Sequence, residues 1–142
     1  MKKLALISLS VLTLTACSDR DEYKQTIFDL VSSDDDIRTY HLDPQTVADC
    51  IFDLSSKNMP GVLPFEPRRQ ETYAGYTKMI SLKTSKNPAQ VLADLRESFG
   101  SAEALSDAHM NYSASYLECI STVTNMELDD EEDATEDAAT AE

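Results

Sequence analysis

The chain has 142 residues, of which 26 are acidic, 12 are basic and 42% are hydrophobic, and its formal net charge is −14. A chain of this length builds one domain with a modest core and not two. The negative charge disfavours binding to nucleic acid or to anionic head groups, and it favours cationic partners.

An uncharged apolar run follows the basic start of the chain. It extends from Leu4 to Ala16 and directly precedes Cys17. A basic start, an apolar run and small residues before a cleavage site are typical of a secretory signal peptide. With 13 residues, the run is shorter than the roughly 20 that a membrane-spanning helix needs. Its end, Leu14-Thr15-Ala16-Cys17, resembles the lipobox of bacterial lipoproteins.

The lipobox resemblance implies how the protein is held in the cell. It implies that residues 1–16 are removed as a signal peptide and that Cys17 carries the acyl chains that anchor the protein to a lipid bilayer. Two or three such chains bind a small domain stably. The protein then faces the periplasm, with residues 17–22 as a short tether. Ser18 stands where enterobacterial lipoproteins retained at the inner membrane carry Asp, which favours the outer membrane.

The first helix of the domain follows the tether. Apolar residues recur there at helical spacing: Tyr23, Ile27, Leu30 and Val31. We interpret Ser32–Asp36 as a polar turn that ends this helix. A calcium-binding EF-hand loop beginning at Asp34 would need a Gly at its sixth position and a Glu at its twelfth, where the chain has Thr39 and Gln45. Asp43 and Pro44 then supply an N-cap and a first helical residue. They predict a second helix from Pro44 to about Ser56.

The segment Lys57–Pro67 is predicted to be a loop, because three prolines interrupt it. It is unusually apolar for a loop. Four of its residues form a candidate binding surface: Met59, Val62, Leu63 and Phe65. The alternative is that these side chains pack onto the helices.

Two further helices are predicted between the loop and the last helix. The first follows Pro67, although Tyr76–Leu82 also suits a strand because Thr, Tyr and Ile favour strands. The second begins at Asn87-Pro88, which repeats the cap-and-proline signal, and ends before Gly100.

The longest helix is predicted from about Ala102 to Met126. Its apolar stripe contains Cys119, and Asn111 is turned away from that stripe. Residues 127–142 include nine acidic side chains and no basic one. Such a tail buries too little surface to offset its ordering entropy, so it should be disordered. The prediction is an all-α domain over residues 23–126, a compact bundle of four or five helices.

If Cys17 carries the lipid, Cys50 and Cys119 are the two cysteines that could form a disulfide. Both lie on apolar helix stripes, and thiols in an oxidising periplasm normally pair. A disulfide between them would contribute at most about 4 kcal/mol to the free energy of unfolding. Two buried free thiols or a redox pair are the alternatives, but a redox pair usually has Cys-x-x-Cys spacing, which is absent.

The sequence contains no recognisable catalytic motif and predicts no cofactor. His41 and His109 are its two histidines, and their separation makes a zinc site a weak hypothesis. Gly-x-Ser-x-Gly, a phosphate-binding loop and His-Glu-x-x-His are all absent. The tyrosines of the later helices fit core and rim positions better than a ligand cage: Tyr73, Tyr76, Tyr112 and Tyr116.

We therefore expect a non-enzymatic interaction or accessory protein of the cell envelope that docks on another envelope protein. The negative charge leaves open an inhibitor or immunity-type protein that binds a cationic enzyme. A small hydrolase or metal-dependent enzyme is the third hypothesis, and it requires His41 and His109 to converge in the fold.

Overall fold

The computed structural model describes residues 18–61, 63 and 66–139, and all regular secondary structure in these ranges is helical. The elements follow in chain order: α1 (Ser18–Ser32), α2 (Asp35–Thr39), α3 (Pro44–Lys57), α4 (Pro67–Ile80), a 3₁₀ helix (Ser81–Thr84), α5 (Pro88–Ser98) and α6 (Ala102–Ala139). The predicted all-α class is confirmed. The strand alternative for Tyr76–Leu82 is wrong, because α4 runs to Ile80 and the 3₁₀ helix follows it.

Capping residues set the starts of α3 and α5 as the sequence predicts. The Asp43 carboxylate accepts a hydrogen bond of 2.9 Å from the backbone N–H of Thr46. The Asn87 side chain accepts one of 3.4 Å from the N–H of Gln90. Gly100 follows α5 with a φ of +80°, the left-handed conformation that commonly terminates a helix. These polar signals locate the two helices to within a residue.

The structure adds detail to two predictions near the start of the domain. The polar segment from Ser32 ends α1 as predicted, but Asp34 also accepts a hydrogen bond from the N–H of Asp36 and caps the short helix α2. Residues that end one helix can therefore begin the next. Ser18–Glu22, predicted to be a short polar spacer, is helical and belongs to α1, whose first turn carries Asp19 and Asp21. Acidic side chains there interact favourably with the helix dipole.

The last helix is longer than predicted. The backbone of α6 is helical to Ala139, thirteen residues beyond Met126. Val123 is the last buried residue among its described side chains, and Leu128 is 57% exposed. A helical segment without packing partners is marginal in water. The acidic tail therefore fits the disordered segment that its composition predicts.

The core forms where α1 contacts both α3 and α4, and α6 packs on α3. Four aromatic rings lie at its centre, with neighbouring centroids 5.7–6.0 Å apart: Tyr23, Phe52, Tyr73 and Tyr76. Such tilted and edge-to-face pairs add to the stabilisation from burial. Among the described residues, no helix has both the length and the apolar character needed to cross a bilayer.

A disulfide joins α3 to α6, as predicted. The sulfurs of Cys50 and Cys119 are 2.07 Å apart, the Cα atoms are 5.8 Å apart, and Cys119 is fully buried. The bond closes a loop of 69 residues in sequence. It therefore restrains the unfolded chain strongly and holds the longest helix on the core.

Candidate functional site

Two of the four residues of the predicted binding surface after α3 lie within the described part of the chain. Met59 is only 5% exposed and belongs to the core, whereas Leu63 is 53% exposed. Val62 and Phe65 lie outside the described residues. Met59 therefore packs onto the helices, as the alternative interpretation predicted, and is not exposed for binding a partner.

Arg69 explains why this loop follows the domain surface closely. Its Nη1 donates hydrogen bonds to the carbonyl oxygens of Met59 (2.6 Å) and Gly61 (3.2 Å), and its Nη2 donates to that of Ser56. The guanidinium carbon also lies 5.3 Å from the centre of the Tyr73 ring. One side chain of α4 thus binds the end of α3 and the loop, which makes this region a structural element.

The two histidines occupy separate exposed positions. His41 lies in the turn after α2, with a φ of 58°, and His109 lies on α6. Among the described side chains, no three metal-ligating groups lie close enough together to hold a metal ion. A zinc site built on both histidines therefore gains no support.

The structure instead contains an open cleft of about 910 Å³, which we call the α5–α6 cleft. It lies between the ends of α1 and α4, the 3₁₀ helix, α5 and the first half of α6. Apolar side chains from each of these elements form its walls: Leu30, Ile80, Leu82, Leu92, Leu105 and Leu117. A cleft of this size and composition is typical of ligand-binding sites.

The α5–α6 cleft exists because α5 leans towards α4. Phe99, just after α5, packs against Gly75 of α4, where an added Cβ would lie 3.1 Å from the ring. The Phe99 ring is also 6.0 Å from that of Tyr76. Leu95 is the one fully buried residue among the described residues of α5. Leu92 remains half-buried and lines the cleft instead of sealing it.

No protein family, curated protein or solved structure matches the chain. The site must therefore be interpreted from its own chemistry.

Two tyrosines of α6 form the polar part of the α5–α6 cleft. The hydroxyl of Tyr116 donates a hydrogen bond of 2.9 Å to Oδ2 of Asp34. Burial raises the pKa of Tyr112 to about 12, and the nearby Asp34 charge adds to this rise. Burial and the bond to Asp34 raise the pKa of Tyr116 in the same direction. The single proton of the Tyr116 hydroxyl is already donated to Asp34, so of the two hydroxyls it is that of Tyr112 that can donate a hydrogen bond to a ligand.

Positive charges exceed negative ones in the α5–α6 cleft. Lys83 of the 3₁₀ helix and Arg96 of α5 line it and are exposed. Within the described part of the chain, neither forms an ion pair, and Asp34 is the one carboxylate that lines the cleft. His109 lines it as well. This local excess contrasts with the net charge of −14 for the whole chain.

Asn111 fixes the helix that carries most of these residues. Its Nδ2 donates hydrogen bonds of 2.9 Å to the Ser55 carbonyl and to the Tyr76 hydroxyl, and its Oδ1 accepts one of 3.2 Å from Asn58. The sequence prediction turned Asn111 away from the apolar stripe and missed this role. Its position between α3 and α4 holds α6 in register beside the cleft.

Most residues of the α5–α6 cleft were not predicted as a site. Lys83 and Arg96 belong to no recognised sequence motif, and Tyr112 and Tyr116 were interpreted as core and rim residues. The sequence offered no signal for the site, because the apolar residues of α5 are those of an ordinary amphipathic helix: Val91, Leu92 and Leu95, with Phe99 directly after it.

Proposed function

We propose that this protein is a lipid-anchored periplasmic lipoprotein that acts by binding, and that the α5–α6 cleft is its binding site. The observation that carries the proposal is an apolar cleft of about 910 Å³ with a small number of polar groups at its edge. Sites for small molecules usually combine these two properties.

The anchor is supported by the lipobox-like sequence that ends at Cys17. The described part of α1 includes Ser18. A domain whose first helix lies this close in sequence to the lipid-bearing residue would stay near the membrane surface. Ser18, in place of Asp, favours the outer membrane as the location.

The position of the α5–α6 cleft along the chain is compatible with the anchor. Leu30 lies near the end of α1, and Asp34 follows it as the N-cap of α2. At 1.5 Å per residue, Leu30 lies about 18 Å along α1 from Ser18. This separation supports a cleft that faces the periplasm, where a ligand or partner can reach it.

Binding is supported by what the polar groups of the α5–α6 cleft can do. The Tyr112 hydroxyl is protonated at neutral pH, as tyrosine ordinarily is, and can donate a hydrogen bond to a ligand, whereas Tyr116 donates its proton to Asp34. Lys83 and Arg96 carry fixed positive charges. These groups donate hydrogen bonds and attract anions, which serves to orient a ligand.

Photo-crosslinking in the native envelope tests the proposal. A photoreactive amino acid replaces Leu92, which lines the cleft, or Asp53, an exposed residue of α3 that serves as the control. We expect a specific adduct at position 92 and none at position 53. Equal labelling at both positions, or no adduct at either, would contradict binding at the cleft.

Mass spectrometry of the same membrane fraction tests the anchor. The mature chain should begin at Cys17 and carry the mass of its acyl groups. A Cys17→Ser variant should be unprocessed or soluble, since the thioether requires that sulfur. A mature chain without acyl mass would exclude the lipid anchor but not the cleft.

A further inference from the structure

We propose that the ligand of the α5–α6 cleft is a long-chain fatty acid, with its alkyl chain against the apolar walls and its carboxylate near Lys83 and Arg96. This inference rests on the proposed function, namely that the cleft is a binding site. It assigns the ligand class from two independent properties of the cleft, its apolar walls and its fixed charges.

The walls of the cleft leave apolar surface in water that an alkyl chain would cover. Leu117 is 68% exposed although it lines the cleft, and Leu92 is half-buried. Leu30 and Leu82, which are partly buried, contribute from two other elements, α1 and the 3₁₀ helix. Removing such surface from water is the main driving force for binding an alkyl chain.

The fixed charges of the cleft select the head group. Lys83 and Arg96 supply two positive charges without a carboxylate partner in the described ranges. Lys78 of α4, which does not line the cleft, differs because it pairs with Asp94 at 3.4 Å. Lys83 and Arg96 are thus available for an anionic group, which an arginine can bind through two parallel hydrogen bonds.

Asp34 limits the charge of the head group that fits best. Its two oxygens accept hydrogen bonds from the Tyr116 hydroxyl and from the N–H of Asp36. The negative charge of Asp34 offsets one of the two positive charges of Lys83 and Arg96, so the cleft has an excess of one positive charge. This excess matches the single charge of a carboxylate better than the double charge of a phosphate monoester. It also disfavours a cationic amphiphile.

A photoactivatable analogue of dodecanoate, applied to the full mature protein in phosphatidylcholine nanodiscs, tests the inference. Labelled residues are mapped by mass spectrometry at increasing probe concentration. We expect labels on α5 and α6 at the cleft. The matching dodecylamine and dodecanol probes should label these positions more weakly, since neither provides an anion for Lys83 and Arg96.

A charge-matched pair of variants supplies the control. Lys83→Gln with Arg96→Gln removes both cleft cations, and Lys57→Gln with Arg68→Gln removes two exposed cations elsewhere. A charge-assisted hydrogen bond contributes enough free energy for the first pair to lower the apparent affinity at least about tenfold. The second pair should leave it within about twofold. All four side chains are exposed, so both variants should fold, which circular dichroism checks.

Three results would overturn the fatty-acid assignment. The first is an equal loss in both double variants, and the second is stronger labelling by dodecylamine. The third is a protein adduct at position 92 in the envelope while dodecanoate does not label the cleft. That result would leave the cleft as a binding site and make its ligand a protein. If dodecanoate does not label the cleft and position 92 yields no adduct, the proposed function fails together with this inference.

Discussion

The Tyr116 hydroxyl and the Asp34 carboxylate, 82 residues apart in the sequence, are joined by a hydrogen bond of 2.9 Å. Asp34 also caps α2, so this bond connects the middle of α6 to the turn between α1 and α2. It lies at the edge of the α5–α6 cleft, which both residues line. The contact therefore stabilises the fold and shapes the proposed site.

Tyr116→Phe should lower the free energy of unfolding by about 1–2 kcal/mol, because the hydrogen bond to a charged group is lost at a partly buried position. Urea unfolding followed by circular dichroism measures the change. Tyr40→Phe is the matched control, since Tyr40 is 62% exposed and its hydroxyl has no hydrogen bond within the described residues. Equal effects of the two substitutions would show that the bond to Asp34 does not stabilise the fold.

Asn111→Ala should destabilise the protein by about 2 kcal/mol, because it leaves the Ser55 carbonyl and the Tyr76 hydroxyl without their hydrogen-bond partner. Asn125→Ala changes an exposed residue of the same helix and should have little effect. Thermal unfolding compares the two variants. A stability of Asn111→Ala close to that of Asn125→Ala would contradict the role of Asn111 between the helices.

Alkaline pH should destabilise the protein as the buried tyrosines titrate. Burial raises the pKa of Tyr112 from 10.0 to about 12 in the folded state. Between these values the unfolded chain loses its proton first, so stability that is complete below pH 10 decreases as the pH rises towards 12. Tyr112→Phe removes this contribution and should lose less stability than the wild type over the same interval. Urea midpoints across the interval measure it, with Tyr40→Phe as the control, and equal slopes would contradict the raised pKa.

The local signals in the sequence were sufficient for most of the fold. Asp43-Pro44 and Asn87-Pro88 located the starts of α3 and α5, because a cap and a proline act on the adjacent backbone. The positions of Cys50 and Cys119 on two apolar stripes likewise predicted the disulfide that the structure contains. Each signal depends on a few neighbouring residues or on helical periodicity.

The α5–α6 cleft could not be predicted in this way, because it depends on contacts between helices that are distant in sequence. One of them is the packing of Phe99 against Gly75, a contact between α4 and the end of α5 that no local pattern specifies. The role of Asn111 was missed for a related reason. Its partners Ser55 and Tyr76 belong to two other helices, and only the packed fold brings them together.

Cutting the chain after Leu128 should leave the melting temperature nearly unchanged. The cut removes eight of the nine acidic residues of the tail and keeps Glu127, whose carboxylate accepts a hydrogen bond of 3.4 Å from the N–H of Asp43. Differential scanning calorimetry compares the two chains. A fall of several degrees would show that the tail packs on the domain, contrary to the disorder that its composition predicts.

The occupancy of the α5–α6 cleft in the cell tests the account most directly. Ser113→Cys places a thiol on the cleft wall, and Ser121→Cys places one on an exposed position of the same helix. The rate of maleimide labelling is measured for both variants in the native envelope and after purification and delipidation. We predict that the thiol at position 113 reacts more slowly in the envelope than in the purified protein, whereas the thiol at position 121 reacts equally fast in both. Equal rates at position 113 in the two preparations would mean that the cleft is empty in the cell and would contradict its assignment as the binding site.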